Sequence, residues 1–209
     1  RDRSKGLTGL ETAIILIAFV IVAAAFAFVV LNMGFYTAQR SKTIMSSGLG
    51  EASSALELDG SVLAYVETSN NISTTNVTGI LIYVKLSSGR YPVELSQDKL
   101  VISFTNPHVT INNIYDGEAC NLTEIVGDND LILEEGEKFE IFINLTHIAN
   151  IANTTDITTK YGLPPNTNAS EIYLHPHDLF RVEIKPPQGA ILTVERIIPP
   201  SVDNVTPLD

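Results

Sequence analysis

From Thr12 to Leu31 the chain carries no charged side chain, and its only hydroxyl there is that of Thr12 itself. Thirteen of these twenty positions are Ile, Leu, Val or Phe, and six are Ala. Twenty residues of helix rise about 30 Å, the thickness of a bilayer's hydrocarbon core. The thirteen large apolar side chains, at roughly 0.3 to 0.6 kcal/mol each, favour insertion by at most ~6 kcal/mol. Arg1, Arg3 and Lys5 precede the run, a basic flank that holds the N-terminus on the cytoplasmic side and sends everything after Leu31 outward. Two alternatives fit less well. A buried helix of a soluble domain needs no basic flank, and the apolar part of a removable secretory signal extends over only about 7–15 residues.

The apolar pattern outlasts any membrane. Asn32 to Leu58 contains no proline. Leu31, Phe35, Ala38, Met45, Leu49, Ala52 and Leu56 follow one another in steps of four and three, broken only by Lys42. Toward the N-terminus the same strip takes in Phe28, Ala24, Ile21, Ile17, Ile14 and Leu10. This spacing predicts one helix from Leu10 to Leu58, about 70 Å long at 1.5 Å per residue, packed lengthwise against other helices. Gly34, Gly48 and Gly50 each cost about 1 kcal/mol against Ala inside a helix. They mark a kink, a close helix–helix approach, or fraying near Gly48. Residues 1–58 are therefore expected to form an assembly helix that spans the membrane first and packs with copies of itself later.

Beyond Leu58 the periodicity changes to two. Val62–Glu67, Gly79–Leu86, Lys99–Thr105, Val109–Tyr115, Phe139–Leu145, Leu179–Ile184 and Ile191–Arg196 are short, β-branched or aromatic, and bounded by Gly, Pro, Asn and Asp. Such strands predict an antiparallel immunoglobulin-like β-sandwich over 59–209, without the usual cysteine pair or Trp. The fold class is α+β.

Charge is split by region. Residues 1–58 hold five basic and four acidic groups, whereas 59–209 hold eight basic and twenty acidic. A net charge of −11 excludes a nucleic-acid binder, whose affinity rests on neutralising phosphates. N-x-S/T sequons begin at Asn71, Asn76, Asn121, Asn144, Asn153, Asn168 and Asn204, seven of fifteen asparagines and all beyond Leu58. The 34 Ser and Thr among 209 residues would give far fewer by chance. The second region is thus expected to be extracellular and glycosylated.

Catalysis finds little support. No GxSxG, HExxH, P-loop or GxGxxG occurs, and Cys120, the sole cysteine, has no nucleophile context. His175-Pro176-His177 with Asp178 is either a metal pair or solvent-facing punctuation. Asp128-Asn129-Asp130 with Glu134 and Glu135 offers hard oxygen ligands for calcium but lacks the full loop pattern, and reads rather as a polar turn between strands. No enzyme activity and no cofactor are expected.

Gly6-Leu7-Thr8-Gly9-Leu10-Glu11-Thr12-Ala13-Ile14-Ile15-Leu16-Ile17-Ala18-Phe19-Val20, then Ala23-Ala24-Ala25-Phe26, Gly34-Phe35, Gln39, Lys42 and Ala52-Ser53-Ser54 resemble the N-terminal helix of archaellins, the archaeal flagellins of the type IV pilin-like superfamily. More loosely, Gly127-Asp128-Asn129-Asp130 and Glu134–Ile141 resemble a stretch of the archaellin outer domain. The resemblance implies a membrane-held precursor, trimmed by a prepilin-type peptidase and polymerised by the archaellum assembly machinery into a homopolymeric swimming filament outside the cell. Cleavage after Gly6 would make Leu7 first and Glu11 fifth, as that superfamily commonly has it. Glu11 then pairs with a cationic group of a neighbouring subunit or caps the helix start. An adhesion pilin is the nearest alternative, and a membrane-anchored extracellular binding protein a more distant one; the Leu10-Glu11 to Phe35 stretch favours archaellin.

Overall fold

The computed structural model describes residues 3–53, 55–66, 76–87, 91–152, 156–164 and 167–208. Two compact units divide the chain, Arg1–Leu49 and Gly50–Asp209.

A single helix, α1 (Arg3–Ser53), accounts for the first unit and for the start of the second. Its 51 residues run through Gly34 and Gly48 without interruption, because no proline removes a donor and each Gly costs only about 1 kcal/mol. Two hydroxyls that would compete with the helix are satisfied inside it: Thr37 Oγ1 donates to the Met33 carbonyl at 2.8 Å, and Thr43 Oγ1 to the Gln39 carbonyl at 3.0 Å. The helix ends five residues earlier than its apolar strip predicts. Leu56, expected as the last helical position of that strip, lies in β1 (Leu56–Leu58), opposite Leu86, and is 7% exposed. Leu56-Glu57-Leu58 alternates with period two, and the sheet buries Leu56 where a helical turn would leave it in water.

The second unit holds β2 (Val62–Tyr65), β3 (Gly79–Leu86), β4 (Val93–Glu94), β5 (Val101–Thr105), β6 (Thr110–Ile111), β7 (Cys120–Val126), β8 (Ile132–Leu133) and β9 (Lys138–Asn144). Three short helices follow, α2 (Leu145–Ile151), α3 (Asp156–Tyr161) and α4 (Ala169–Ile172), then β10 (Leu179–Lys185), β11 (Leu192–Ile197) and β12 (Val205–Leu208). Among the described residues the strands form a six-stranded sheet in the order β12-β2-β3-β9-β7 with β1 also on β3, a four-stranded sheet β11-β10-β5-β6, and the ribbon β4-β8. Every strand pair is antiparallel.

Alternation decides which face is dry. On β9, Phe139, Ile141 and Ile143 are buried while Glu140, Phe142 and Asn144 lie on the other face. Ile102 and Phe104 of β5 and Phe180, Val182 and Ile184 of β10 are fully buried and join the β3 and β9 side chains in one apolar cluster. Each such side chain contributes roughly 1.5–3 kcal/mol by leaving water.

The expected strand over Val109–Tyr115 contracts to β6, because asparagine side chains replace the ladder. Asn106 Oδ1 accepts from the N–H groups of His108 and Val109, and Asn113 Oδ1 accepts from that of Tyr115. β7 and the three helices had no period strong enough to announce them. Of the expected Val62–Glu67 strand, Glu67 lies outside the described residues.

Candidate assembly surface

The uncharged stretch of α1 runs from Thr12 to Gln39, between Glu11 and Arg40. All its side chains are exposed in the single chain. Large apolar residues of α1 range from 55% exposed at Val22 to 73% at Met45. The strip residues Ile14, Ile17, Ile21, Phe28, Leu31, Phe35 and Leu49, 58–66% exposed, are nearly as open as Ile15, Phe19, Phe26 and Val30 on the remaining faces, 65–72% exposed, and Ala24 is exposed as well. A helix apolar all round is stable only when surrounded, by lipid or by other helices. Nothing approaches within 4 Å of a Cβ built on Gly9, Gly34 or Gly48, so the single chain gives those glycines no steric task. Glu11 is exposed at the N-terminal border of the stretch, and Gly6 and Leu7 fall in the first turns of the same helix.

The second unit has a different surface, held by ion pairs. Lys138 Nζ lies 2.5 Å and Lys85 Nζ 3.3 Å from the Asp59 carboxylate; these two ammonium groups hold the Asp59 carboxyl below the usual range. Asp116 is the other centre. Burial opposes its ionisation, but Lys160 at 2.8 Å, the Tyr161 hydroxyl and the N–H groups of Glu118 and Ala119 outweigh it, holding the carboxyl well below the usual range. Hydrogen bonds to Asp116 and Glu118 push the Lys160 ammonium upward in turn.

Two groups have metal-like spacing. Carboxylates of Asp116 and Glu118 come together with His147, yet Lys160 Nζ already sits 2.8 Å from both acids and supplies a tethered cation. Glu124, Asp128 and Glu137 form the second group. Of the acidic residues that the sequence offers as possible calcium ligands, Asp128 alone belongs to it. Asp130 Oδ1 accepts from the N–H of Ile132 in its own turn, and Glu134 donates its N–H to Glu137 Oε2. Pairing of Val126 with Lys138 across the β7–β9 hairpin is what brings Glu124 beside Glu137, a long-range register that spacing along the chain does not display.

His175 N–H donates to Asp178 Oδ2 and its ring lies 3.4 Å from the same carboxylate, while His177 holds a left-handed turn at φ 71°. This is turn geometry. Cys120 is buried in the core, and burial first, with the Asp116 carboxylate second, pushes its thiol far up.

Asn71 and Asn153 lie outside the described residues. Asn121, Asn168 and Asn204 are exposed, whereas Asn76 and Asn144 are half-buried. Asn168 Nδ2 donates to Glu171 Oε1, and Asn144 caps α2 by accepting from the His147 N–H at 3.0 Å.

Comparison with known proteins places this architecture. The profile of the family described as archaeal-type flagellin matches residues 6–196. The chain is 38% identical to a protein of Aeropyrum pernix named probable flagellin 1, over 96% of this chain and 95% of that one. It is 34% identical to probable flagellin 2 of Archaeoglobus fulgidus, over 99% and 95%. Among solved structures, the archaeal flagellum of Methanospirillum hungatei superposes with a TM-score of 0.60 at 25% identity, covering 96% of this chain and 98% of that one.

Proposed function

The chain belongs to the archaeal-type flagellin family, and from that premise we propose that α1 is the polymerising element, its entire apolar circumference taken up by α1 helices of other copies. The chain is a structural subunit of the archaellum, the filament on the archaeal cell surface that serves motility.

One observation carries the proposal: every described side chain of α1 from Gly9 to Leu49 is exposed in the single chain. Lipid satisfies that surface before assembly. Moving it into water is unfavourable, so the subunit leaves the membrane only as other α1 helices replace lipid step by step. Contacts made head to tail between identical copies do not close, and they give an open helical polymer. The acidic second unit, with twenty Asp and Glu against eight Lys and Arg over 59–209, repels its own copies and adds to solubility rather than cohesion.

Further steps belong to the same reading. A prepilin-type peptidase cuts after Gly6, the archaellum assembly machinery draws the subunit from the membrane, and Glu11 marks the start of the packed helix. Sequons of the second unit carry N-linked sugar. The chain has no catalytic task, in keeping with a family of structural filament proteins and with a buried, strongly protonated Cys120 thiol.

The test is to shear filaments from cells, image them by electron microscopy and measure the mass of the chain within them. Thin fibres composed chiefly of this chain, lost together with swimming in a deletion strain, are the expected result. Swimming cells whose filaments lack the chain overturn the reading.

A further inference from the structure

The outer face of the six-stranded sheet contains a groove built around a missing side chain. Gly79 pairs with Tyr65 of β2 on one side and with Asn144 of β9 on the other. Phe142, two residues before Asn144 and on the same face of β9, fills part of the vacancy: a Cβ built on Gly79 would lie 3.1 Å from two carbons of its ring. Tyr65 meets that ring edge-on, with centroids 6.1 Å apart and planes at 85°. Together with Thr78 and Thr146 these residues line a cleft of about 310 Å³, at the lower end of the ligand-sized range.

Asn144 and Thr146 are themselves a sequon, Asn144-Leu145-Thr146. The Asn144 side chain is held from one end only. Its Oδ1 accepts the His147 N–H at 3.0 Å as the N-cap of α2, which pins the amide plane. Nδ2 makes no hydrogen bond among the described residues and is not among the buried unpartnered atoms.

We propose that Asn144 carries an N-linked sugar whose first ring lies in this cleft against Phe142 and Tyr65. The proposal rests on the reading that sequons of this unit are glycosylated. In the transfer, Nδ2 bonds to the anomeric carbon of a lipid-linked sugar phosphate, and the carbon–oxygen bond to the phosphate breaks. The phosphate leaves with the electron pair, and one amide proton passes to a base of the membrane glycosyltransferase. The product is still an amide, so Oδ1 keeps its bond to His147 and the cap of α2 survives modification. A pyranose offers a face of weakly positive C–H groups, the complement of the negative face of an aromatic ring. Absence of a side chain at Gly79 keeps the cleft open directly across from the linkage.

The experiment uses filaments sheared from the producing archaeon and from a strain lacking the oligosaccharide-transferring enzyme. Glycopeptide mass spectrometry reads occupancy at each sequon, and calorimetry reads the unfolding temperature. Thr146→Ala removes the sequon while leaving the Asn144 cap in place. Sugar at Asn144 is expected, together with a fall of about 2–4 °C for Thr146→Ala in the glycosylating strain and none in the deficient one. In a Phe142→Leu background, which keeps apolar volume but removes the ring, that fall should vanish. A bare Asn144 beside other occupied sequons overturns the cleft proposal alone, as does an occupied Asn144 whose Thr146→Ala shift is the same with or without the Phe142 ring. Bare asparagine at all seven sequons overturns the glycosylation reading as well.

Discussion

The Tyr161 hydroxyl donates to the Asp116 carboxylate at 2.6 Å, tying the end of α3 to a turn forty-five positions earlier in the chain. Asp116 opens the turn into β7, where its Oδ1 accepts the N–H groups of Glu118 and Ala119 at 2.8 and 2.6 Å. One carboxylate therefore fixes the start of an edge strand and the docking of a helix. Tyr161 is 5% exposed, so its replacement by Phe changes the hydrogen bond and little of the packing. Hydrogen bonds to charged groups are worth about 1.5–3 kcal/mol, and Tyr161→Phe is expected to lower the stability of the second unit by that amount. Denaturant unfolding followed by circular dichroism checks it; an unchanged midpoint would show that α3 docks without the bond.

The same carboxylate sets an acid limit. Its folded pKa lies below the unfolded value near 3.9, so its contribution is fully present above about pH 4 and is lost as pH falls through the folded value. Asp59, Glu94, Glu118 and Glu183 are shifted in the same direction, each chiefly by a lysine. Lys160, raised by Asp116 and Glu118, contributes below its unfolded value near 10.4 and loses that contribution as pH rises through its higher folded value. Stability should be level from about pH 5 to pH 9 and decline below pH 4. In Asp116→Asn the acid decline should be shallower from a lower plateau. Unfolding temperatures measured across pH decide the matter, and an equally steep decline in the variant would remove Asp116 as the cause.

Glu11 is the only acidic residue between Asp2 and Glu51, at the border of a stretch without charge as far as Arg40. Packed among identical apolar helices, an ionised carboxylate costs up to a few kcal/mol unless a cation or free N–H groups meet it. Glu11→Ala is expected to leave the chain in the membrane and cut filament number at least tenfold, counted on negatively stained cells. Filaments of normal number and length would remove Glu11 from assembly.

How far the sequence reaches depends on the range of the interaction that fixes each element. α1 is legible because an uncharged run and an unbroken absence of proline are local. β3 spans Gly79–Leu86 as the alternation predicts, and β9 and β10 lie within a residue of expectation, because a face buried in one core imposes its period directly. β7 is not legible in the sequence: its burial is confined to one side at a sheet edge, and Asn121, Thr123 and Glu124 resemble loop composition. Nor is α2, because Asn144 ends β9 and caps the next helix at once, leaving no gap for a turn signal. The acidic cluster was only partly visible, since Glu124 and Glu137 meet through strand pairing while Asp128 alone advertises itself in the loop. Leu56 lies in β1 rather than α1, and spacing alone does not place it, because one leucine satisfies both the last step of a helical strip and the first of an alternating strand.

Two phenylalanines separate folding from assembly. Phe180 is fully buried between the sheets, whereas Phe28 is 66% exposed on α1, and the apolar core cluster begins at Leu56. Phe180→Ala removes a ring from a packed interior and is expected to cost about 3–5 kcal/mol in the detergent-solubilised monomer. Phe28→Ala removes the same ring from a surface that only lipid or detergent covers until copies of α1 surround it. The unfolding midpoint of that monomer should stay within about 0.5 kcal/mol of the parent, while its filaments dissociate at a lower temperature, because every subunit loses the same burial at once. Calorimetry of monomer and filament for both variants reads the difference. If Phe28→Ala weakened the monomer as much as Phe180→Ala, α1 would be part of the folded core; if it left the filament unchanged, the ring would face solvent after assembly, and the all-round packing of α1 would be wrong on that side.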